Sequence, residues 1–148
     1  MGVFDRAVAT RSQNVTRLVL GAFMVLAGLA HLTVGRQDFH AQVPEWLPVN
    51  EDFVVLASGV LEIGLGIALL ALPRYRRITG LVLAVFFVLV FPGNVAQYVE
   101  GITAFGLDTD AKRLARLFGQ PLLISGALWS AAIPERAVPT DCQSQRAE

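Results

Sequence analysis

The sequence predicts an all-α fold, a four-helix transmembrane bundle with both termini cytoplasmic, and three observations predict it. Phe53 to Leu72 (FVVLASGVLEIGLGIALLAL) is a run of twenty residues whose only ionisable group is Glu62. At about 1.5 Å of rise per residue, such a helix matches the roughly 30 Å hydrocarbon core of a bilayer. Three further apolar runs accompany it, Val15 to Val34, Ile78 to Val99 and Leu114 to Ile133. Only 16% of the chain is charged, against about 25% in a soluble domain, which is the deficit that repeated spans leave. At 148 residues the chain is one domain by length. It divides into a polar basic segment (1–14), a four-span membrane domain (15–133) and a polar tail (134–148).

Residues 1–14 carry Arg6 and Arg11 and read as a surface or disordered segment. The first span opens with Arg17 and closes near His31; its length sets it apart from the apolar region of a cleaved signal peptide. In the loop from Gly35 to Asp52, Pro44 and Pro48 break any continuous helix. Phe39, Val43, Trp46 and Leu47 fit an aromatic anchor in the headgroup region, with a lid over the bundle mouth as the alternative. A basic turn, Pro73 to Arg77 (PRYRR), follows the second span, and the third becomes polar at Pro92, Asn94 and Gln97. Asp108, Thr109 or Asp110 is positioned to cap the fourth span. That span carries Arg113, Arg116 and Gln120 at its entrance and ends at Pro134.

Orientation follows from the cations. A cytoplasmic amino terminus puts Arg6, Arg11, Arg17, Arg74, Arg76, Arg77, Arg136 and Arg146 inside and leaves Arg36, Lys112, Arg113 and Arg116 outside. Eight against four satisfies the positive-inside rule. Alternate threading then sends a polar group into the outer half of every span: His31, Ser58 one turn outward of Glu62, Asn94 and Gln97, and Arg116 with Gln120 one turn on. The inner half is almost wholly aliphatic. A carboxyl near the midplane is disfavoured by about 2.5 to 3.5 kcal/mol on insertion scales, so Glu62 has to face the protein interior, take up a proton or meet a partner, Arg116 being one. Ser58, Gly59, Gly64 and Gly66 read as small residues that let helices approach. Asn94 is suited either to carbonyls freed by Pro92 or to a ligand.

Several function classes are excluded. Net charge is zero and the cations are scattered, which gives no nucleic-acid surface. One cysteine, Cys142, allows neither an internal disulfide nor a CxxC pair. His31 and His40 lack metal-ligand spacing, and there is no haem or nucleotide motif.

The segments HLTVGRQDFHAQVPEWLP, SGVLEIGLGIALLALPRYRR, FPGNVAQ and RLFGQPLLISGALW together resemble the DoxX-like family of small four-helix membrane proteins. In that pattern a His closes the first helix, SGxxE lies in the second, FPxN ends the third, and an Arg precedes a Gln by four on the last. His31, Ser58, Gly59, Glu62, Pro92, Asn94, Arg116 and Gln120 hold those places over residues 15–133. The chain departs from the pattern at RLFGQ, where the proline that the family sets between Arg and Gln comes afterwards as Pro121. The resemblance implies redox-associated membrane proteins, some similar to a subunit of a thiosulfate:quinone oxidoreductase, and animal proteins of similar architecture that assist receptor assembly.

The expected function is therefore that of a multi-pass plasma-membrane subunit, not autonomously enzymatic. It binds a partner protein, redox or otherwise, or a lipophilic molecule such as a quinone, in a pocket formed by His31, Ser58, Glu62, Asn94, Gln97, Arg116 and Gln120 and open to the outer leaflet. The alternative is an intramembrane acid/base enzyme such as a lipid isomerase, with Glu62 or His31 moving the proton. A proton-coupled transporter ranks last, because the inner half offers no polar path.

Overall fold

The computed structural model describes residues 9–132. The expectations for residues 1–8 and for the tail from 133 onward, with Cys142 and the placement of both termini, concern residues outside those described. All regular structure among the described residues is helical: α1 (Arg11–Leu32), α2 (Arg36–His40), α3 (Glu51–Ala71), a 3-10 turn (Pro73–Tyr75), α4 (Arg76–Val99) and α5 (Asp110–Ser130).

Local hydrogen bonds set the helix starts. Thr10 and Gln13 form a capping box, the Thr10 hydroxyl accepting from the Gln13 N–H while the Gln13 side chain accepts from the Thr10 N–H. This draws Arg11 to Asn14 into α1, so the predicted polar segment ends four residues early. Asn50 caps α3, accepting from the Phe53 N–H at 3.1 Å. Of the three residues positioned to cap the last helix, Thr109 does so, and α5 starts at Asp110. The first loop holds one more element than predicted, α2, which fits between Val34 and the two prolines.

The long helices pack as antiparallel pairs. Gly21 of α1 lies against the Gly66 carbonyl, and Gly28 against that of Gly59, so position rises on one helix as it falls on the other. A Cβ on Gly28 would stand 2.6 Å from the Gly59 oxygen, and one on Gly66 2.8 Å from that of Gly21. This α1/α3 contact is the most extensive in the molecule, followed by α4/α5, which closes at Gly80 against Ala127 and Ala131. Gly64 is different: no atom lies within 4 Å of where its Cβ would be, so it does not mediate the helix contact read from the sequence.

Leu20, Met24, Leu69, Leu83, Phe86, Phe87 and Ala127 form the core. The end opposite the first loop is tied by two buried arginines. Arg17 donates to the carbonyls of Leu69 and Leu70 at the end of α3, and Arg76 donates to the Ser130 carbonyl at the end of α5 and to the Asn14 side chain at 2.6 Å. Each cation thereby meets the negative end of a helix dipole. The exterior is apolar: Val19, Leu26, Leu61, Leu89 and Leu122 are 55–74% exposed, a composition suited to lipid rather than water. Three stretches, Arg11–Leu32, Glu51–Ala71 and Pro73–Val99, are long and apolar enough to cross a membrane. At 21 residues α5 matches them in length, but its first two turns carry Asp110, Lys112, Arg113 and Arg116.

Candidate functional site

Between the two helix pairs lies a cavity of about 420 Å³, covered by residues 39–47 of the first loop. His31, Ser58, Glu62, Asn94, Arg116 and Gln120 all line it. Gln97, the seventh residue of the expected pocket, does not. It is only 1% exposed and donates to the Ile102 carbonyl at 3.4 Å, where it anchors the turn after α4.

The α1/α3 wall carries an acid and a base. Sequence threading set His31 near the outer surface and Glu62 at the midplane, but the structure makes them level, with His31 Nδ1 2.9 Å from Glu62 Oε2. The glycine register explains the difference: α1 ends at Leu32, opposite Gly59, whose missing side chain admits the His31 Cβ, while α3 runs two turns farther, to Glu51. The first loop fills the step this leaves. His31 Nδ1 also lies 2.9 Å from the Ala27 carbonyl. A carbonyl only accepts, so Nδ1 carries a proton. That proton is directed at Ala27, and buried Oε2 lies close to the same nitrogen without completing a hydrogen bond of its own. The Ser58 hydroxyl is spent on the Val55 carbonyl, which makes it a packing residue at the cavity edge.

The α4/α5 wall carries a chain of amides that ends on a cation. Gln120 donates to the Phe87 carbonyl at 2.7 Å, Asn94 donates to Gln120 at 3.0 Å, and Arg116 Nε donates to Asn94 at 3.2 Å. With its amide oxygen turned to the guanidinium, Gln42 of the loop accepts from both terminal nitrogens of Arg116. Arg116 is thus not the partner of Glu62 that the sequence suggests, since it pairs with no carboxylate among the described residues. Nor does Asn94 serve carbonyls freed by Pro92, since its partners are Gln120 and Arg116.

Between the two walls runs a line of rings. His31 stacks on Phe39, Phe39 meets Phe105 edge-on at 4.6 Å, and the Arg116 guanidinium lies over Phe105 at 4.9 Å. Phe105 sits at φ 56°, a left-handed conformation uncommon for an aromatic residue. Phe39 and buried Val43 thus turn inward rather than lining a headgroup belt. The loop is also latched to the start of α3: Arg36 makes a two-pronged pair with Asp52, and His40 Nε2 lies 3.2 Å from the same carboxylate. The Asp52 bond raises Arg36 above its already high ordinary pKa, so the latch keeps its cation at any working pH.

Sequence reasoning missed Gln42 and Phe105 as site residues, and of its two readings of Phe39 the headgroup anchor gives way to the alternative, a lid over the bundle mouth. The signal for Gln42 was present in the HAQVP segment, where an amide sits among apolar residues in register with Phe39 and Val43. Its partner signal is Gly93, which follows Pro92 and whose Cβ would collide with the Gln42 carbonyl. Among the described residues, no three His, Cys, Asp or Glu side chains gather where a metal ion could be held.

Fold and site together define an all-helical protein with three helices of membrane-spanning length and composition around a cavity that has one acid/base wall and one amide–guanidinium wall. The chain belongs to the family described as a domain of unknown function (DUF8561), whose model matches residues 20–131. No curated protein and no solved structure matches it.

Proposed function

We propose that this protein binds a lipophilic small molecule, quinone-like in pairing an apolar body with oxygen acceptors, in the cavity beneath the first loop. The observation that carries the reading is the lining: two polar walls, one with Glu62 Oε2 free of hydrogen bonds and one with Arg116, face each other across apolar side chains such as Met24, Val55, Phe87 and Leu123. That is the usual character of a small-molecule site. In this reading α5 is the fourth span, supported by the exposure of Phe118 and Leu122 on its outer face. Both termini are cytoplasmic, the membrane is the plasma membrane, and the arginine distribution supports that sense. The likeness to the DoxX-like pattern and the absence of a nucleophile or cofactor motif from the sequence favour a subunit that works with a membrane or redox partner protein. The test is saturable quenching of Trp46 fluorescence by decylubiquinone in nanodiscs, with Trp129→Phe as background. Glu62→Gln and Arg116→Ala should each weaken binding about tenfold; unchanged binding by folded variants rules the reading out.

One observation favours a second reading, intramembrane acid/base catalysis. The Glu62 carboxylate is not neutralised by Arg116 but faces an imidazole in the same cavity, the arrangement expected of groups that move a proton. Transport is weakly supported, because Leu20, Met24, Leu69 and Leu83 fill the interior toward the arginine-tied end.

A further inference from the structure

We infer that His31, through Nε2, is the base of this site, that Glu62 is its positioning partner, and that the substrate is a lipophilic carbonyl compound whose oxygen is held by Arg116. The inference rests on the acid/base reading above and chooses between the two proton-moving groups, Glu62 and His31, that the sequence offers. Its first support is the tautomer. Because the Ala27 carbonyl and the Glu62 carboxylate both press on Nδ1, Nδ1 must bear the proton, and the lone pair of a neutral imidazole is left on Nε2. Nε2 has no hydrogen-bond partner among the described residues, although His31 lines the cavity. A carboxylate behind a fixed imidazole is the arrangement that stabilises an imidazolium once the far nitrogen has taken a proton.

The second support lies across the cavity. Asn94, Gln42 and the face of Phe105 offer Arg116 only neutral partners, and of its five N–H groups three are used, leaving two for a ligand. A cation without a counter-ion, held rigidly by amides and facing a low-dielectric space, is suited to charge that develops on an oxygen. Together the two walls fit one reaction type. His31 Nε2 removes a proton from the carbon next to a carbonyl. The C–H electron pair moves into a C=C bond as the carbonyl oxygen becomes an enolate oxygen on Arg116, and the proton returns from His31 to the same carbon or to one conjugated with it. The result is exchange or double-bond migration, with no oxidant or reductant consumed.

The experiment uses the full chain in nanodiscs with a histidine-free affinity tag and methyl undecyl ketone as the probe. The protein has two histidines, so His40→Gln isolates the ring signals of His31 in ¹⁵N spectra. A pyrrole-type Nδ1 and a pyridine-type Nε2 are expected; the opposite tautomer overturns the assignment and needs only the folded protein. In deuterated buffer the protein should speed deuterium uptake beside the carbonyl. His31→Asn should lower that rate by about a hundredfold or more, the range for a general base. Glu62→Gln should keep the tautomer, since Ala27 still holds it, yet lower the rate at least about tenfold. Uptake unchanged by His31→Asn while the ketone still quenches Trp46 overturns the catalytic role but leaves binding intact. Failure of the wild-type protein to bind either the ketone or decylubiquinone overturns the binding proposal itself.

Discussion

At the scale of single residues, the site depends on side chains that are absent. His31 reaches Glu62 because Gly59 has no Cβ to meet the His31 Cβ, which would lie 2.8 Å away. Gly59→Ala therefore has to push α1 off α3, and overpacking of this kind typically costs about 1–3 kcal/mol. Thermal unfolding in detergent should show that loss, together with weaker decylubiquinone binding. Gly64→Ala on the same helix is the control. It enters open space and should raise stability by about 0.5–1 kcal/mol, because alanine is the better helix former. If the two substitutions behave alike, the glycine contact does not set the register. Phe105 makes the complementary case: its left-handed backbone accompanies the ring's contacts with Phe39 and Arg116, so tertiary contacts rather than local preference keep an aromatic there.

At the scale of elements, the long helices were legible in the sequence because a run such as Phe53 to Leu72, twenty residues with a single ionisable group, has few other physical explanations. What the pattern could not convey was level. Alternate threading assumes that every helix crosses the full layer, whereas α1 stops opposite Gly59 and α3 continues two turns beyond it. That offset makes the first loop a cover instead of a surface belt, and it brings in Gln42 and Phe39, which sequence spacing alone could not place. The paired small residues Gly21, Gly28, Gly59 and Gly66 contained the register, but it becomes readable only once the two helices are known to touch. Asp52→Asn weakens the latch to Arg36 and His40, and because such exposed pairs contribute at most about 1 kcal/mol, global stability should barely change. Hydrogen exchange over residues 36–47 should nonetheless rise, and unchanged exchange there would mean that the latch does not hold the cover. At the other end, Arg76→Leu strips the Ser130 carbonyl and Asn14 of their donor. Stability should fall by about 1–3 kcal/mol, and Arg76→Lys should rescue little, since an ammonium cannot reproduce the forked contact.

At the scale of the whole molecule, the four long helices form two tight pairs, α1/α3 and α4/α5, that meet along lighter seams where α3 faces α4 and α5 faces α1. The cavity lies between the pairs, and some of its lining is also exterior: Leu89 is 72% exposed and Phe23 48%. A wall shared by cavity and outer surface in the apolar belt suggests a sideways route, by which a lipophilic ligand reaches the polar walls from the acyl chains without crossing the loop. The covering loop and the seam then have separable roles, one excluding water and the other admitting the ligand. Leu89→Trp tests this division, because Leu89 stands where the cavity lining meets the outer surface. Bulk at the seam should slow association of decylubiquinone several-fold, and dissociation by the same factor, leaving affinity at equilibrium unchanged. Stopped-flow quenching of Trp46 in nanodiscs, with Leu89→Phe as a second variant lacking indole fluorescence, separates the outcomes. Slowed rates with constant affinity support entry from the lipid. Rates that respond to Asp52→Asn but not to either Leu89 variant place the entrance under the loop.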